Sequence, residues 1–330
     1  LRILDLRYNI LEKFTFFSNL QSVQELYLGF NNLSYFPNEM LDLESLQVLE
    51  IAKNEISNLP EAFGNLISLR TLNLSINRLK SIPESFGDIK HLMIANFMDN
   101  NLSSLPDSFR NLKLIELNLS YNCFAFLPES LCQILSLTYL NLGKNQITQL
   151  PECIDNLRLL RTLNLYENKL EIIPESLGNL HSLRFLGLMK NKLKFLPESI
   201  GNLSLLEELN LKENYLISLP ESIKNIKSLK ILNLQLNKFK KFPASLKSLE
   251  NLKKVKIKGN PMTQKFEAKE IDFYKLKDHL KYQFKEFVKT RQFLDVLKRN
   301  FEKLKELAKL LEDNEISKME YFLKYIKTLV

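Results

Sequence analysis

An asparagine returns every 22 or 23 residues along most of this chain, at Asn9, Asn31, Asn54, Asn77, Asn100, Asn122, Asn145, Asn168, Asn191, Asn214, Asn237 and Asn260. Its neighbours return with it. With the asparagine as position nine, positions one, four and six are almost always Leu, Ile or Val, as in Leu69, Leu72 and Leu74 before Asn77. An apolar residue follows at two and five places after the asparagine, and proline at six; Pro37 to Pro243 fill that slot and account for ten of the eleven prolines. A fixed period of this length means a chain built from identical coils, because one such coil cannot bury its own leucines and must stack on its neighbours to do so.

Each element of the period has a physical reason. Apolar residues at positions four and six share one face of a short strand and point to a core, while positions three, five and seven face solvent. A sharp turn behind the strand would strand buried backbone groups. An asparagine amide both donates and accepts, so it satisfies them and links adjacent coils. In "PESFG" the proline suits the first turn of a short helix, the glutamate suits its positive end, and glycine, at Gly64, Gly87, Gly178 and Gly201, suits its exit.

The wording "LPESIGNLSLLEELNLKENYL" at residues 196–216 resembles the leucine-rich repeat family. Within it, the phrase is similar to the intracellular Ras-suppressor-like subgroup and to bacterial and archaeal proteins with 23-residue repeats. The likeness covers residues 1–260 in about twelve repeats. It implies an α/β fold: a horseshoe-shaped leucine-rich repeat solenoid with a parallel β-sheet on its concave side.

After "KGNP" the period stops. Residues 261–330 show helical spacing, with Phe273, Leu276, Leu280, Phe284 and Phe287 on one face, followed by two further stripes. The expectation is a C-terminal α-helical segment of two or three amphipathic helices. It would cap the last coil or serve as an interaction segment, through which the chain could also oligomerise.

Composition narrows the class. With 45% hydrophobic and 25% charged residues the chain has the make-up of a globular protein, and no apolar run reaches the roughly 18–20 residues of a membrane span. Cys123, Cys132 and Cys153 form no CxxC motif. They read as free thiols in a reducing compartment, which makes the expected location cytoplasmic. His91, His181 and His279 are scattered, so no metal or other cofactor is expected. No P-loop, HExxH or GxSxG occurs, residues 154–330 contain no cysteine to act as a nucleophile, and no catalytic residues are assigned.

A row of twelve strands at about 4.8 Å spans some 55 Å, a surface suited to a macromolecule rather than a small substrate. Asparagine dominates position five, at Asn73, Asn96, Asn118, Asn141, Asn164, Asn210 and Asn233, and reads as a polar ladder between strands. Gly187 interrupts it. With Phe185 and Met189 on its own strand, and Tyr166 and Tyr139 on the two before, it would form a dent with apolar walls at the centre of a partner site. A second, more dispersed apolar set comprises Tyr8, Phe30, Ile76, Met98 and Tyr121.

The formal charge of +8 is concentrated late in the chain. Residues 237–260 hold eight lysines against the single acid Glu250. Lys254, Lys256 and Lys258 share the outward face of the last strand, where they could meet an acidic partner or simply discourage edge-to-edge pairing. Without arginines or stacking aromatics beside them, nucleic acid is a poor fit, and acids in the tail dilute any attraction to membrane. The expected function is a non-enzymatic protein-interaction module that binds a protein on the concave face, as scaffold or regulator in signalling. The alternative is a surface-acting or secreted protein that meets membrane or host molecules through its basic end and tail.

Overall fold

The computed structural model describes residues 1–13 and 20–263. Twelve strands form one parallel sheet in strict sequence order: β1 (Ile3–Asp5), β2 (Glu25–Tyr27), β3 (Val48–Glu50), β4 (Thr71–Asn73), β5 (Ile94–Asn96), β6 (Glu116–Asn118), β7 (Tyr139–Asn141), β8 (Thr162–Asn164), β9 (Phe185–Gly187), β10 (Glu208–Asn210), β11 (Ile231–Asn233) and β12 (Lys254–Lys256). Register is exact from coil to coil. Leu72 pairs with Ala95, and Ala95 with Leu117, so each repeat position forms a column across the sheet. The helical segment expected over 261–330 lies outside the described residues beyond Thr263.

The core runs the length of the sheet. Positions four and six are buried on every strand from β2 to β12, Leu26 and Leu28 through Val255 and Ile257. Fully burying one such side chain contributes about 1.5–3 kcal/mol. Behind the sheet, the residue three places after each proline closes the core. Phe63, Phe86 and Phe109 fill that column in consecutive coils as a stack with centroids 5.6 and 5.1 Å apart. Leu131, Ile154, Leu177, Ile200 and Ile223 continue it, all buried.

The anchor asparagines do the linking expected of them. Asn54 donates to its own Ile51 carbonyl at 3.2 Å and to Leu28 of the preceding coil at 3.0 Å, while its oxygen accepts the Leu33 N–H at 3.0 Å. The same set recurs at Asn77, Asn145 and Asn214.

The short helix expected behind the sheet is present in 3-10 form, but proline precedes it instead of lying in its first turn. Pro83 has extended geometry (φ −70°, ψ 155°) ahead of Glu84–Asp88, and its carbonyl accepts the Phe86 N–H at 3.1 Å. The glycines are not exit residues either. Gly87 and Gly201 lie buried inside the turns, with none of the positive φ of a left-handed exit. A Cβ on Gly201 would meet the Ser222 carbonyl oxygen of the next coil at 2.5 Å, so glycine is there for close packing between coils.

Cys132 and Cys153 contradict the expectation of three free thiols. Their sulfurs are bonded, with Cα atoms 5.8 Å apart, inside the range of about 4.4–6.8 Å that a disulfide spans. Cys132 occupies the glycine slot of its turn and Cys153 the serine slot of the next, so the close approach seen at Gly201 and Ser222 brings the two sulfurs together. Cys123 is free and half-buried.

Candidate functional site: the central concave face

Position eight, the residue just before each anchor asparagine, takes a left-handed backbone in every coil. Tyr8, Phe30, Lys53, Ile76, Asp99, Tyr121, Lys144, Glu167, Lys190, Glu213 and Leu236 all have φ between 52° and 59°. The conformation turns these side chains along the rim of the sheet. Thus Tyr8, Phe30, Ile76 and Tyr121, dispersed in the sequence, form part of one rim column. At its N-terminal end Tyr8 stacks on Phe30 with centroids 4.4 Å apart, and Lys53 sits 4.7 Å from the Phe30 ring centre.

Midway along the solenoid, Tyr121 on the rim and Tyr166 on the face meet edge to face with centroids 6.5 Å apart. Tyr166 leans back over the preceding strand and covers Gly143, where any Cβ would collide with its ring. Burial, and then the hydrogen bond to Tyr121, push the Tyr166 phenol up to about 12. The Tyr121 phenol is held below its ordinary value, first by the Lys144 ammonium and then by Tyr166. Lys144 lies 4.4 Å from the Tyr121 ring centre and 3.7 Å from Glu167, which also pairs with Lys190 at 3.1 Å. The two rings are thus braced by glycine beneath and charge pairs along the rim.

The dent expected at Gly187 is filled. Gly187 is buried, with the Asn164 amide oxygen 2.5 Å and the Phe185 ring 3.0 Å from where its Cβ would lie. Phe185 and Met189 of the same coil are half-buried, as are Tyr139 two strands before and Met98 on β5's side of the face. The structure brings Tyr121 and Tyr166 together and leaves Phe185 and Met189 on the far side of Asn164. The glycine that shapes the aromatic pair is Gly143. Its signal in the sequence is a position-seven glycine directly before a position-seven tyrosine in the next coil.

Nor do the position-five asparagines form a ladder between strands. They line up in register, Asn73 with Asn96, Asn118 and Asn141, but each amide oxygen accepts the N–H two residues ahead in its own chain. These bonds are 3.1 Å to Ser75, 3.0 Å to Met98, 3.1 Å to Ser120 and 3.0 Å to Gly143. Asp5 does the same for Arg7 and Glu50 for Ala52, at 3.1 and 3.2 Å.

Lys254, Lys256 and Lys258 share the outward face of β12, the edge strand, next to Lys230 of β11's coil, which is engaged by Glu207. Among the described residues, no three His, Cys, Asp or Glu side chains are grouped as metal ligands, and no helix is long and apolar enough to cross a membrane.

Comparison with known proteins places this architecture. Models described as leucine-rich repeat match residues 45–94 and 136–193, and 113–134, and a leucine-rich repeat region matches 174–325. A leucine-rich repeat protein of Leptospira interrogans is similar at 30% identity with a TM-score of 0.72, over 78% of this chain and 72% of that one. The chain belongs to the leucine-rich repeat family. A plant peptide hormone receptor, RGFR1, solved in complex with RGF2, is similar at 28% identity and a TM-score of 0.65, over 73% of this chain but only 40% of the receptor. The functional domain of InlJ from Listeria monocytogenes, which includes a cysteine ladder, shares the fold at 21% identity and a TM-score of 0.67, over 78% of this chain and 53% of that domain. No curated protein matches the sequence.

Proposed function

We propose that the chain is a non-enzymatic recognition module, a scaffold or regulator that holds a protein partner on its concave face with the Tyr121–Tyr166 pair at the centre. The observation that carries this reading is the bracing of those rings. Tyr166 is fixed over Gly143, and Tyr121 is fixed by Tyr166 and Lys144, although Tyr121 itself is exposed. A pre-ordered aromatic at the centre of a surface binds without a large loss of side-chain freedom. The receptor similar to this chain, solved with a bound peptide, supports the same use of the fold.

The test is affinity capture from a lysate of the source organism with the intact chain and with Tyr121→Ala/Tyr166→Ala. The reading expects capture to be lost in the variant while the melting temperature changes by a few degrees at most. Undiminished capture contradicts it. Capture led by the aromatic pair should also persist in about 0.5 M salt, whereas binding led by Lys254, Lys256 and Lys258 should fade.

The disulfide favours a second reading, in which the protein works in an oxidising compartment and meets membrane or host molecules at a surface. Inter-coil disulfides persist where thiols are not kept reduced. Thiol labelling in intact cells separates the two: a protected Cys132–Cys153 pair supports the surface reading, and three labelled cysteines support a cytoplasmic one.

A further inference from the structure

We propose that the ligand segment taken by this face is a proline-rich stretch in polyproline II conformation, lying along the asparagine column beside Tyr121 and Tyr166. The inference rests on the reading above that the concave face binds a protein, and says what part of it is bound.

Position five on β4 to β7 accepts the backbone N–H two residues ahead. A backbone N–H can only donate, so the atom of each asparagine that faces it is the amide oxygen, and the orientation of the amide follows. On Asn118 that oxygen takes two hydrogen bonds, from the Ser120 N–H at 3.1 Å and the Ser120 hydroxyl at 2.7 Å. A carboxylate meets the same local need, as Asp5 and Glu50 demonstrate. What asparagine adds is the second atom. In Asn73, Asn96, Asn118 and Asn141 the Nδ2 group is left facing the groove, and it donates to no acceptor among the described residues. Position five on β4 to β7 is therefore an uncharged column of hydrogen-bond donors.

Two features of that column select its ligand. The first is chemical. A polyproline II chain makes no internal hydrogen bonds, so its carbonyls are available, and its prolines bring no N–H that would need an acceptor. An ordinary extended strand would bring an N–H at every residue. The second is metric. Neighbouring strands are about 4.8 Å apart, so alternate asparagines are about 9.6 Å apart. Polyproline II advances about 9.3 Å in each three-residue turn, whereas equivalent carbonyls on an extended strand recur at about 6.8 Å. A proline helix running along the solenoid would set equivalent carbonyls over Asn96 and Asn141. Proline rings pack on aromatic faces, and the edge-to-face Tyr121–Tyr166 pair stands beside Asn118 and Asn141 to receive them.

Fluorescence anisotropy with a labelled oligoproline tests the proposal on the intact chain. The expected result is saturable binding, at least tenfold weaker in Asn118→Asp/Asn141→Asp. That variant keeps the acceptor each turn requires, but its two carboxylates stand in register on neighbouring strands and lower its melting temperature somewhat, so binding is read well below the transition, where it presents carboxylate oxygens to the ligand carbonyls. A glycine–serine peptide of equal length should bind at least tenfold more weakly than oligoproline. Absence of oligoproline binding, equal binding by the aspartate variant, or preferential binding of a cello-oligosaccharide that oligoproline does not displace would each overturn the proposal. If partner capture still depends on Tyr121 and Tyr166 while oligoproline fails to bind, this inference falls and the broader reading stands.

Discussion

Cys132 and Cys153 are joined between neighbouring coils at the two positions that Gly201 and Ser222 hold further along the solenoid. At Gly64, Gly87, Gly178 and Gly201 that closeness leaves no room for a Cβ; here it makes a covalent link. The bond closes a loop of 21 residues, a length for which the loss of chain entropy in the unfolded state contributes about 3 kcal/mol. Thiol titration of the unreduced protein should find one reactive cysteine, Cys123, and reduction should lower the urea midpoint accordingly. Cys132→Gly/Cys153→Ser restores the pair used in other coils and should fold without sensitivity to reductant. Three titratable thiols in the unreduced protein would contradict the link.

The two kinds of asparagine should differ sharply on substitution. Asn145 is buried, accepts the Phe124 N–H at 3.0 Å and donates to Leu119 and Leu142 at 3.0 Å each. Asn145→Ala orphans these buried groups, each at about 1–3 kcal/mol, and should cost about 3 kcal/mol or more. Asn141→Ala removes one half-buried bond to the Gly143 N–H and should cost about 1 kcal/mol. Chemical denaturation of both variants measures the difference, and equal losses would mean that the anchor is not what holds the coils.

How much of this was legible before the structure depends on whether the cause is local to one coil. Leu72, Leu74 and Asn77 announce their roles because strand alternation and an orphaned turn are properties of a single repeat. The cysteine pair is not local. It follows from an offset, the glycine slot of one turn facing the serine slot of the next, and only the stacking geometry reveals that offset. Gly187 misleads because a missing side chain looks like empty space, whereas Asn164 and Phe185 close over it. Gly143 gives no signal within its own coil, because its meaning lies in a tyrosine 23 residues later, Tyr166, which leans backward over it. The left-handed rim residues were invisible because Tyr, Lys, Glu and Ile fill positions where glycine or asparagine would have signalled the conformation.

That rim carries a stability prediction. Ile76 has φ 54° and is exposed, and a left-handed conformation disfavours an L-residue by roughly 1–2 kcal/mol, most severely when it is β-branched. Asparagine tolerates it. Ile76→Asn should therefore stabilise the fold by about 1 kcal/mol, seen as a rise in melting temperature. A fall would show that the Ile76 side chain contributes packing that outweighs the strain.

Glu50 supplies a pH dependence. Burial raises its carboxyl above the ordinary value, against the opposing pull of the Ala52 N–H and Arg7. An acid whose folded value is raised holds its proton more tightly in the native state. The stability that Glu50 itself contributes is therefore greatest below the unfolded carboxylate value of about 4.3 and declines as pH rises through the higher folded value. Glu50→Gln cannot ionise, so its melting temperature should gain on that of the wild type as pH rises from about 4 toward neutrality. A constant offset across that range would mean that Glu50 titrates normally.

The central claim is that the middle of the concave face, and not the opposite flank, holds the partner. Replacing Tyr121 with the photo-crosslinking residue p-benzoylphenylalanine, and separately Phe195, which is exposed outside the strands, four residues after Asn191, tests this directly in cells of the source organism. The account predicts a covalent protein adduct on irradiation from position 121 and none from position 195. Adducts from position 195 with none from position 121 would contradict it.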